Sequence, residues 1–129
     1  PGRTRSTGHS LSGDGGFWYH LAELETAVRC QITCALVINN NTSLNQEIPL
    51  VETAYGGSLP GRHGDLWQFT DVSFADIAKA MGARGVKVTQ PGEFDSALDQ
   101  ALSGQGPCVI EVMTEQTAQA PLAWLGDTP

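Results

Sequence analysis

A short apolar run in the first half of the chain constrains the fold more than any other feature. Residues 33–38 read Thr-Cys-Ala-Leu-Val-Ile and are followed directly by three asparagines. Continuous rather than alternating apolarity is typical of a strand that is covered on both faces, as in a parallel sheet. The run therefore predicts a buried strand whose carboxyl end is marked by Asn39, Asn40 and Asn41.

Helical patterns alternate with further short strands along the rest of the chain. Apolar residues at spacings of three and four predict a first helix at about residues 17–31. Ser73 is predicted to cap a second helix, and Pro91 opens a third. Short strands are predicted at residues 85–89 and 107–113. Strands that alternate with helices in this way indicate a layered α/β fold with a mainly parallel sheet.

The length of 129 residues predicts one domain. Residues 1–12 are polar and rich in Gly, Ser, Thr and Arg, which predicts a loop or a disordered segment. We place the domain at residues 13–113 and a tail at residues 114–129. Within the domain, residues 42–72 are predicted to be a long irregular connection, which is usually functional.

The charge of the chain restricts its partners. The formal net charge is -7 with only 7 Lys+Arg, so the basic surface of a nucleic-acid-binding protein is missing. No apolar run approaches the roughly 20 residues of a membrane-spanning helix, and the first residues lack the apolar core of a secretory signal. We therefore expect a cytoplasmic protein with no nucleic-acid partner and no membrane partner.

Glycines surround a carboxylate directly before the first helix, in the segment Gly13-Asp14-Gly15-Gly16. Backbone N–H groups of glycines approach a phosphate closely, and the start of a helix favours anionic charge. Ligands of parallel α/β sheets bind beyond the carboxyl ends of the strands. The asparagines at residues 39–41 are therefore a second candidate site.

The side chains of these two segments suit a hard divalent cation. A carboxylate, an amide oxygen and a backbone carbonyl are ligands that Mg²⁺ prefers. Taken separately, Gly-Asp-Gly is usually a turn, and Asp14 is also a candidate helix cap. The dinucleotide fingerprint Gly-x-Gly-x-x-Gly is not met, because its third glycine is missing.

The combination of Gly-Asp-Gly, a helix, a strand and Asn-Asn resembles the thiamine diphosphate (ThDP, also called thiamine pyrophosphate or TPP) motif of the acetolactate synthase and pyruvate decarboxylase superfamily. Asp14 and Asn41 are 27 positions apart, which is the family's spacing. The resemblance continues through residues 55–57, 74–83 and 106–112 and covers roughly residues 11–113. It implies a three-layer α/β/α ThDP-binding fold, here the C-terminal diphosphate-binding domain of such an enzyme.

The resemblance also implies roles for individual residues. Asp14 and Asn41 would be the side-chain ligands of Mg²⁺, with Asn40 as the alternative to Asn41. Ser43 would supply its backbone carbonyl to the metal, and Leu44 would lie near the cofactor. The diphosphate would rest on the three glycines Gly13, Gly15 and Gly16.

Three departures from the family pattern limit what the chain does alone. Polar residues 7–12 stand where the family has a buried apolar strand, so we expect a fold that is incomplete at the N-terminus. Asn45 replaces a frequent glycine, although asparagine tolerates the same left-handed backbone. The family's pyrimidine-binding domain, with the glutamate that protonates the cofactor, does not occur in this sequence.

The sequence leaves several functions open. The first is a ThDP-binding and Mg²⁺-binding part of a 2-oxo acid decarboxylating or carboligating enzyme, inactive alone and completed by a pyrimidine-binding domain or subunit. The second is a non-catalytic fragment that has lost the cofactor and self-associates. An exposed strand edge of such a chain would pair with another copy, so we expect a homo-oligomer. The third is an unrelated nucleotide-binding module.

Overall fold

Four parallel strands form the sheet of this structure, a computed structural model that describes residues 8–59 and 61–118. Their order across the sheet is β1-β2-β4-β3, so that β2 and β4 occupy the centre. The strands are β1 (Gly8–Gly13), β2 (Cys34–Asn40), β3 (Arg84–Val88) and β4 (Pro107–Met113). The predicted parallel sheet is confirmed, and β4 has the bounds that its sequence predicts.

Helices cover both faces of the sheet. Side chains from α1, α2 and α4 pack on one face, where Phe17, Leu24 and Phe74 meet Ile38 and Val109. On the other face α5 places Ala97 and Ala101 against Ala35, Cys108 and Ile110. The three-layer α/β/α fold is therefore confirmed. The helices are α1 (Asp14–His20), α2 (Glu23–Arg29), α3 (Ile48–Ala54), α4 (Phe74–Ala80) and α5 (Phe94–Ser103).

The first described segment corrects the prediction of a loop or disordered segment up to residue 12. Residues Gly8–Gly13 form β1, which pairs in parallel with β2 from Gly8 opposite Cys34 to Gly13 opposite Asn39. The polar sequence argues against a central strand, and β1 indeed lies at an edge of the sheet. An edge strand needs only the backbone ladder on one side, so its side chains can remain polar and exposed.

Two helical predictions are also corrected. The single helix expected at residues 17–31 begins earlier, at Asp14, and is interrupted at Leu21 and Ala22 between α1 and α2. The connection expected to be irregular contains α3 and two short 3-10 turns, Asn45–Glu47 and His63–Leu66. None of the residues of α3 is buried, which explains why no apolar periodicity against a core marks it.

The start of α4 forms as its sequence predicts. The Ser73 Oγ accepts a hydrogen bond from the Asp76 backbone N–H at 3.3 Å, as an N-cap residue does. The first turn of α4 also lies very close to β3. A Cβ at Gly85 would collide with the Ala75 backbone, so the close approach requires glycine at position 85.

The predictions for residues 1–7 and for most of the tail lie outside the described residues, because the description ends at Ala118. Within residues 8–59 and 61–118, no helix is both long and apolar enough to cross a membrane.

Candidate functional site

An open pocket of about 260 Å³ lies at the carboxyl ends of β1 and β2. Both ends meet there because the two strands are parallel neighbours, and ligands of such sheets bind at this edge. All seven site residues predicted from the sequence line the pocket. Its lining consists of Gly13, Asp14, Gly15, Gly16, Asn39, Asn41, Ser43, Leu44, Asn45, Gln46 and Glu47.

Asp14 is the first residue of α1 and is only 3% exposed. Its Oδ1 accepts a hydrogen bond from the Gly15 N–H at 2.8 Å, and its Oδ2 accepts one from the Ser43 N–H at 3.1 Å. Burial raises the pKa of the Asp14 carboxyl, while the N–H donors of Gly15 and Ser43 act in the opposite direction. The carboxylate is thus fixed to the loop after β2 as well as to its own helix.

The amide oxygen of Asn41 approaches the same point. Asn41 Oδ1 accepts a hydrogen bond from the Ser43 N–H at 3.1 Å, the distance at which Asp14 Oδ2 accepts from it. Two oxygens that share one donor lie no more than twice this distance apart. The structure thereby brings together the two side chains that the sequence predicts as metal ligands.

The loop that carries Ser43 is held in an unusual conformation. Thr42 has a φ of 57°, a left-handed backbone that is uncommon outside glycine and asparagine. A short antiparallel bridge supports it: the Phe69 N–H donates to the Thr42 carbonyl at 2.8 Å, and the Leu44 N–H donates to the Trp67 carbonyl at 2.8 Å. The Trp67 side chain is buried and anchors this support.

The hydroxyl of Ser43 is free although it is enclosed. Ser43 is only 4% exposed, and its Oγ has no hydrogen-bond partner within the described residues. A buried hydroxyl without a partner costs free energy. A ligand in the pocket would offer this Oγ the partner that it lacks.

The three glycines of the site differ in their surroundings. A Cβ at Gly13 would meet nothing within 4 Å, so its backbone faces open space at the pocket. A Cβ at Gly15 would collide with the Leu44 side chain, and one at Gly16 would come within 2.8 Å of Ser12 Oγ. A side chain at either position would force Leu44 or Ser12 to move, so the glycines let α1 start close to both residues as they stand.

Asn40, the alternative ligand, points away from the pocket. Its side chain is 1% exposed, and its Nδ2 donates to Glu111 Oε1 at 2.7 Å. Its Oδ1 accepts from the Thr42 N–H at 3.0 Å. The neighbours Asn39 and Asn41 line the pocket instead.

Sequence reasoning missed Glu111 and the supporting residues 67–69. Glu111 interrupts an otherwise apolar strand and is 0% exposed. A glutamate in such a strand is itself a signal, because a buried carboxylate requires partners. The support by Trp67 and Phe69 left no sequence signal, since it consists of backbone hydrogen bonds.

A family profile described as "Thiamine pyrophosphate enzyme, C-terminal TPP binding domain" matches residues 3–112. An acetolactate synthase large subunit of Mycobacterium tuberculosis is 30% identical over 116 residues, which are 86% of this chain and 19% of that protein. The acetolactate synthase of Bacillus subtilis is 27% identical over 114 residues, 88% of this chain and 19% of that protein.

Among solved structures, the benzoylformate decarboxylase of Polynucleobacter necessarius superposes with a TM-score of 0.75 and 24% identity, over 89% of this chain and 21% of that one. This likeness concerns the fold. The present chain spans about one fifth of the length of each of these proteins.

Proposed function

Because this chain belongs to the family of C-terminal TPP-binding domains of thiamine pyrophosphate enzymes, we propose that its pocket holds the diphosphate of ThDP through Mg²⁺. The observation that carries the proposal is the convergence of Asp14 Oδ2 and Asn41 Oδ1 on the Ser43 N–H, each at 3.1 Å. A cation that enters the pocket would find two hard oxygens already held close to each other.

The residues of the pocket fit this ligand. Asp14 and Asn41 would bind Mg²⁺ through their side chains, and Ser43 would bind it through its backbone carbonyl. Within the described residues, no group of three His, Cys, Asp or Glu assembles, so the site has too few charges to hold a metal alone. A diphosphate supplies the remaining oxygens and negative charge, as is usual for Mg²⁺ sites.

The diphosphate itself would lie along the glycine backbone. The open space at Gly13, together with Gly15 and Gly16, leaves room for phosphate oxygens at the start of α1. The free Ser43 Oγ would donate to one of them, and Leu44 would contact the rest of the cofactor. When bound, ThDP supplies the electron sink for reactions of 2-oxo acids, while these residues bind and orient it.

The relatives support a proposal for the function of the complete protein. The chain spans about one fifth of two acetolactate synthases, so the rest of the active site would come from a pyrimidine-binding domain or subunit. We infer a parent enzyme that decarboxylates or carboligates 2-oxo acids and is inactive as this part alone. The exposed edge strand β1 supports association of this part with a further chain, including a second copy.

A second candidate is a fragment that has lost the cofactor and only self-associates. The exposure of β1, with Leu11 76% exposed, favours it, because the strand that leads to Asp14 has few side-chain contacts. A crystal grown with ThDP and Mg²⁺ separates the two candidates. Density for a metal between Asp14 and Asn41 rejects the fragment, and an empty pocket at saturating ligand rejects the cofactor site.

Thermal unfolding with and without ThDP plus Mg²⁺ tests the proposed site in solution. Ligand at 100 times its Kd should stabilise the chain by about 2.7 kcal/mol. Asp14→Ala removes the only carboxylate among the proposed ligands and should abolish this gain. Asp99→Ala, on the exposed side of α5, is the matched control and should retain it. No shift for the folded wild-type chain at millimolar ligand, or an equal shift for Asp14→Ala, contradicts the proposal.

A further inference from the structure

Glu111 is a fully buried carboxylate in the central strand β4. Three donors surround it. Its Oε1 accepts from Asn40 Nδ2 at 2.7 Å, while its Oε2 accepts from Ser73 Oγ at 2.9 Å and from the Ala75 N–H at 3.1 Å. The carboxylate thus connects the end of β2 with the first turn of α4.

A lysine and the start of a helix lie close to the Glu111 carboxylate and offset its negative charge. Lys87 Nζ lies 3.9 Å from Oε1, although the lysine side chain is 39% exposed. The N–H of Ala75 belongs to the start of α4, where the helix dipole favours a negative charge. A hydrophobic residue of similar size would stabilise such a core equally well in many proteins, so the carboxylate calls for a reason beyond stability.

A chain of hydrogen bonds leads from Glu111 to the candidate site. Asn40 Nδ2 donates to Glu111 Oε1 at 2.7 Å and, over a longer distance of 3.4 Å, to the Val72 carbonyl, while its Oδ1 accepts from the Thr42 N–H. Thr42 holds the left-handed backbone that directs the Ser43 N–H to Asp14 Oδ2 and Asn41 Oδ1. If the Asn40 amide turned over, its oxygen would face the carboxylate and its NH₂ would face the Thr42 N–H, and both contacts would be repulsive.

We propose that Glu111 is a positioning residue, which fixes the orientation of the Asn40 amide and thereby the loop that presents the metal ligands. The proposal rests on the proposed Mg²⁺–diphosphate site and extends it to a residue that does not line the pocket. Glu111 does not line the pocket and would touch neither cofactor nor metal. It acts through Asn40 and Thr42, as outer residues of metal sites do when they orient the ligands.

Only a carboxylate satisfies all of these donors. A glutamine at position 111 has one acceptor oxygen and one NH₂ group. If its oxygen accepted from Asn40, its NH₂ would face the Ala75 N–H, and the reverse orientation would place its NH₂ against Asn40 Nδ2. Ser73 can turn its hydroxyl and the Asn40 amide can turn over, whereas the Ala75 N–H belongs to the backbone and cannot. We therefore expect the glutamine oxygen to stay with Ala75 and Ser73, so that Glu111→Gln releases Asn40.

The test compares Glu111→Gln with Ser73→Ala. The control removes one hydrogen bond to the same carboxylate, together with the cap of α4, but leaves the contact with Asn40 intact. Titration calorimetry with ThDP and Mg²⁺ should show an affinity at least about tenfold weaker for Glu111→Gln. Ser73→Ala should remain within about threefold of wild type even if both variants are destabilised, which a purely structural role of Glu111 would not produce.

Amide hydrogen exchange of the ligand-free chain gives a second readout that does not depend on the cofactor. The Thr42 N–H should exchange about tenfold faster in Glu111→Gln than in wild type, because its acceptor is no longer fixed. Ser73→Ala should leave Thr42 protected. If the wild-type chain failed to bind ThDP, the proposed site would be wrong, while the exchange of Thr42 would still decide the role of Glu111.

Glu111→Met provides the same test if Glu111→Gln does not fold. It keeps a side chain of similar size but removes the carboxylate that accepts from Asn40 Nδ2, and it should show the same loss of affinity and of protection at Thr42. Wild-type affinity together with wild-type protection of Thr42, in whichever of the two variants folds, would overturn the proposal.

Discussion

The two strands on either side of β2 differ sharply in how far their side chains are buried. Both β1 and β4 pair with β2 in parallel along six or seven residues. In β4 the residues from Pro107 to Glu111 are all buried, whereas in β1 only Ser12 is even partly buried. The backbone ladder is nearly the same, so the difference lies entirely in the side chains and in what covers them.

This difference shows how the candidate site is held. β1 places Gly13 and Asp14 at the pocket, yet few of its side chains pack against the core. Asp14 is therefore held mainly from the far side, by the Ser43 N–H and by the helix that it begins. The residues that fix the loop after β2, by contrast, connect through Asn40 to the buried strand β4. The part of the site that follows β1 is thus positioned by backbone pairing, whereas the loop after β2 is positioned by contacts with the core.

The largest effect expected from this comparison is on stability. Ile110→Ala in β4 removes a side chain that is 0% exposed and should cost about 2–5 kcal/mol of unfolding free energy. Leu11→Ala in β1 removes a side chain that is 76% exposed and should change stability by no more than about 0.5 kcal/mol. Urea unfolding of both variants at one protein concentration measures the contrast.

A large loss for Leu11→Ala would break the comparison. It would mean that Leu11 is buried in solution, which requires a partner over the face of the sheet to which Leu11 points. Light scattering then tests whether this partner is a second copy of the chain, because burial by a second copy makes both the mass and the midpoint of unfolding depend on concentration.

A gain of stability in β1 is the next largest effect. Ser10 lines a largely apolar pocket under α1 and α2, together with Phe17, Leu24 and Leu36. Ser10→Val should stabilise the chain by about 0.5–1 kcal/mol, because it buries apolar surface there and favours a strand. His9→Val on the opposite face of the same strand gains only the strand preference. An equal gain for both variants would show that the pocket contributes nothing.

The same contrast explains how far the sequence predicts this fold. The apolar run of β4 and the Ser73 cap of α4 are local signals with a direct physical cause, and both elements form where expected. β1 is polar and depends on a ladder with β2, which lies some 20 residues further along the chain. None of the residues of α3 is fully buried, so no core-facing pattern marks this helix in the sequence. Structure that depends on distant backbone pairing leaves little trace in a local pattern.

The candidate site divides in the same way. That Asp14 and Asn41 meet is predictable, since the carboxyl ends of neighbouring parallel strands share one edge. That Asn40 faces inward rather than into the pocket is not, because it depends on Glu111, 71 positions away. Three consecutive asparagines look alike in sequence, and only the buried partner of one of them distinguishes their roles.

The smallest effect concerns α5, which covers β4 and leaves β1 open. Glu93 Oε2 accepts from the Thr89 and Gln90 N–H groups at 2.9 and 3.0 Å. The bond from Thr89, followed by the bond from Gln90, holds the pKa of the Glu93 carboxyl below its ordinary value. A lowered pKa contributes stability above the ordinary carboxyl pKa, and this contribution is lost as the pH falls through the lowered value.

Glu93→Gln should therefore shift the urea midpoint slightly downward at about pH 7, and the difference from wild type should shrink as the pH falls through the lowered pKa of Glu93. The exposed Glu52 of α3 is the control, and Glu52→Gln should show no such trend. A difference that grew on acidification would mean that the start of α5 does not depend on the charge of Glu93. The cover of β4 would then rest on the buried contacts of Ala97 and Ala101 alone.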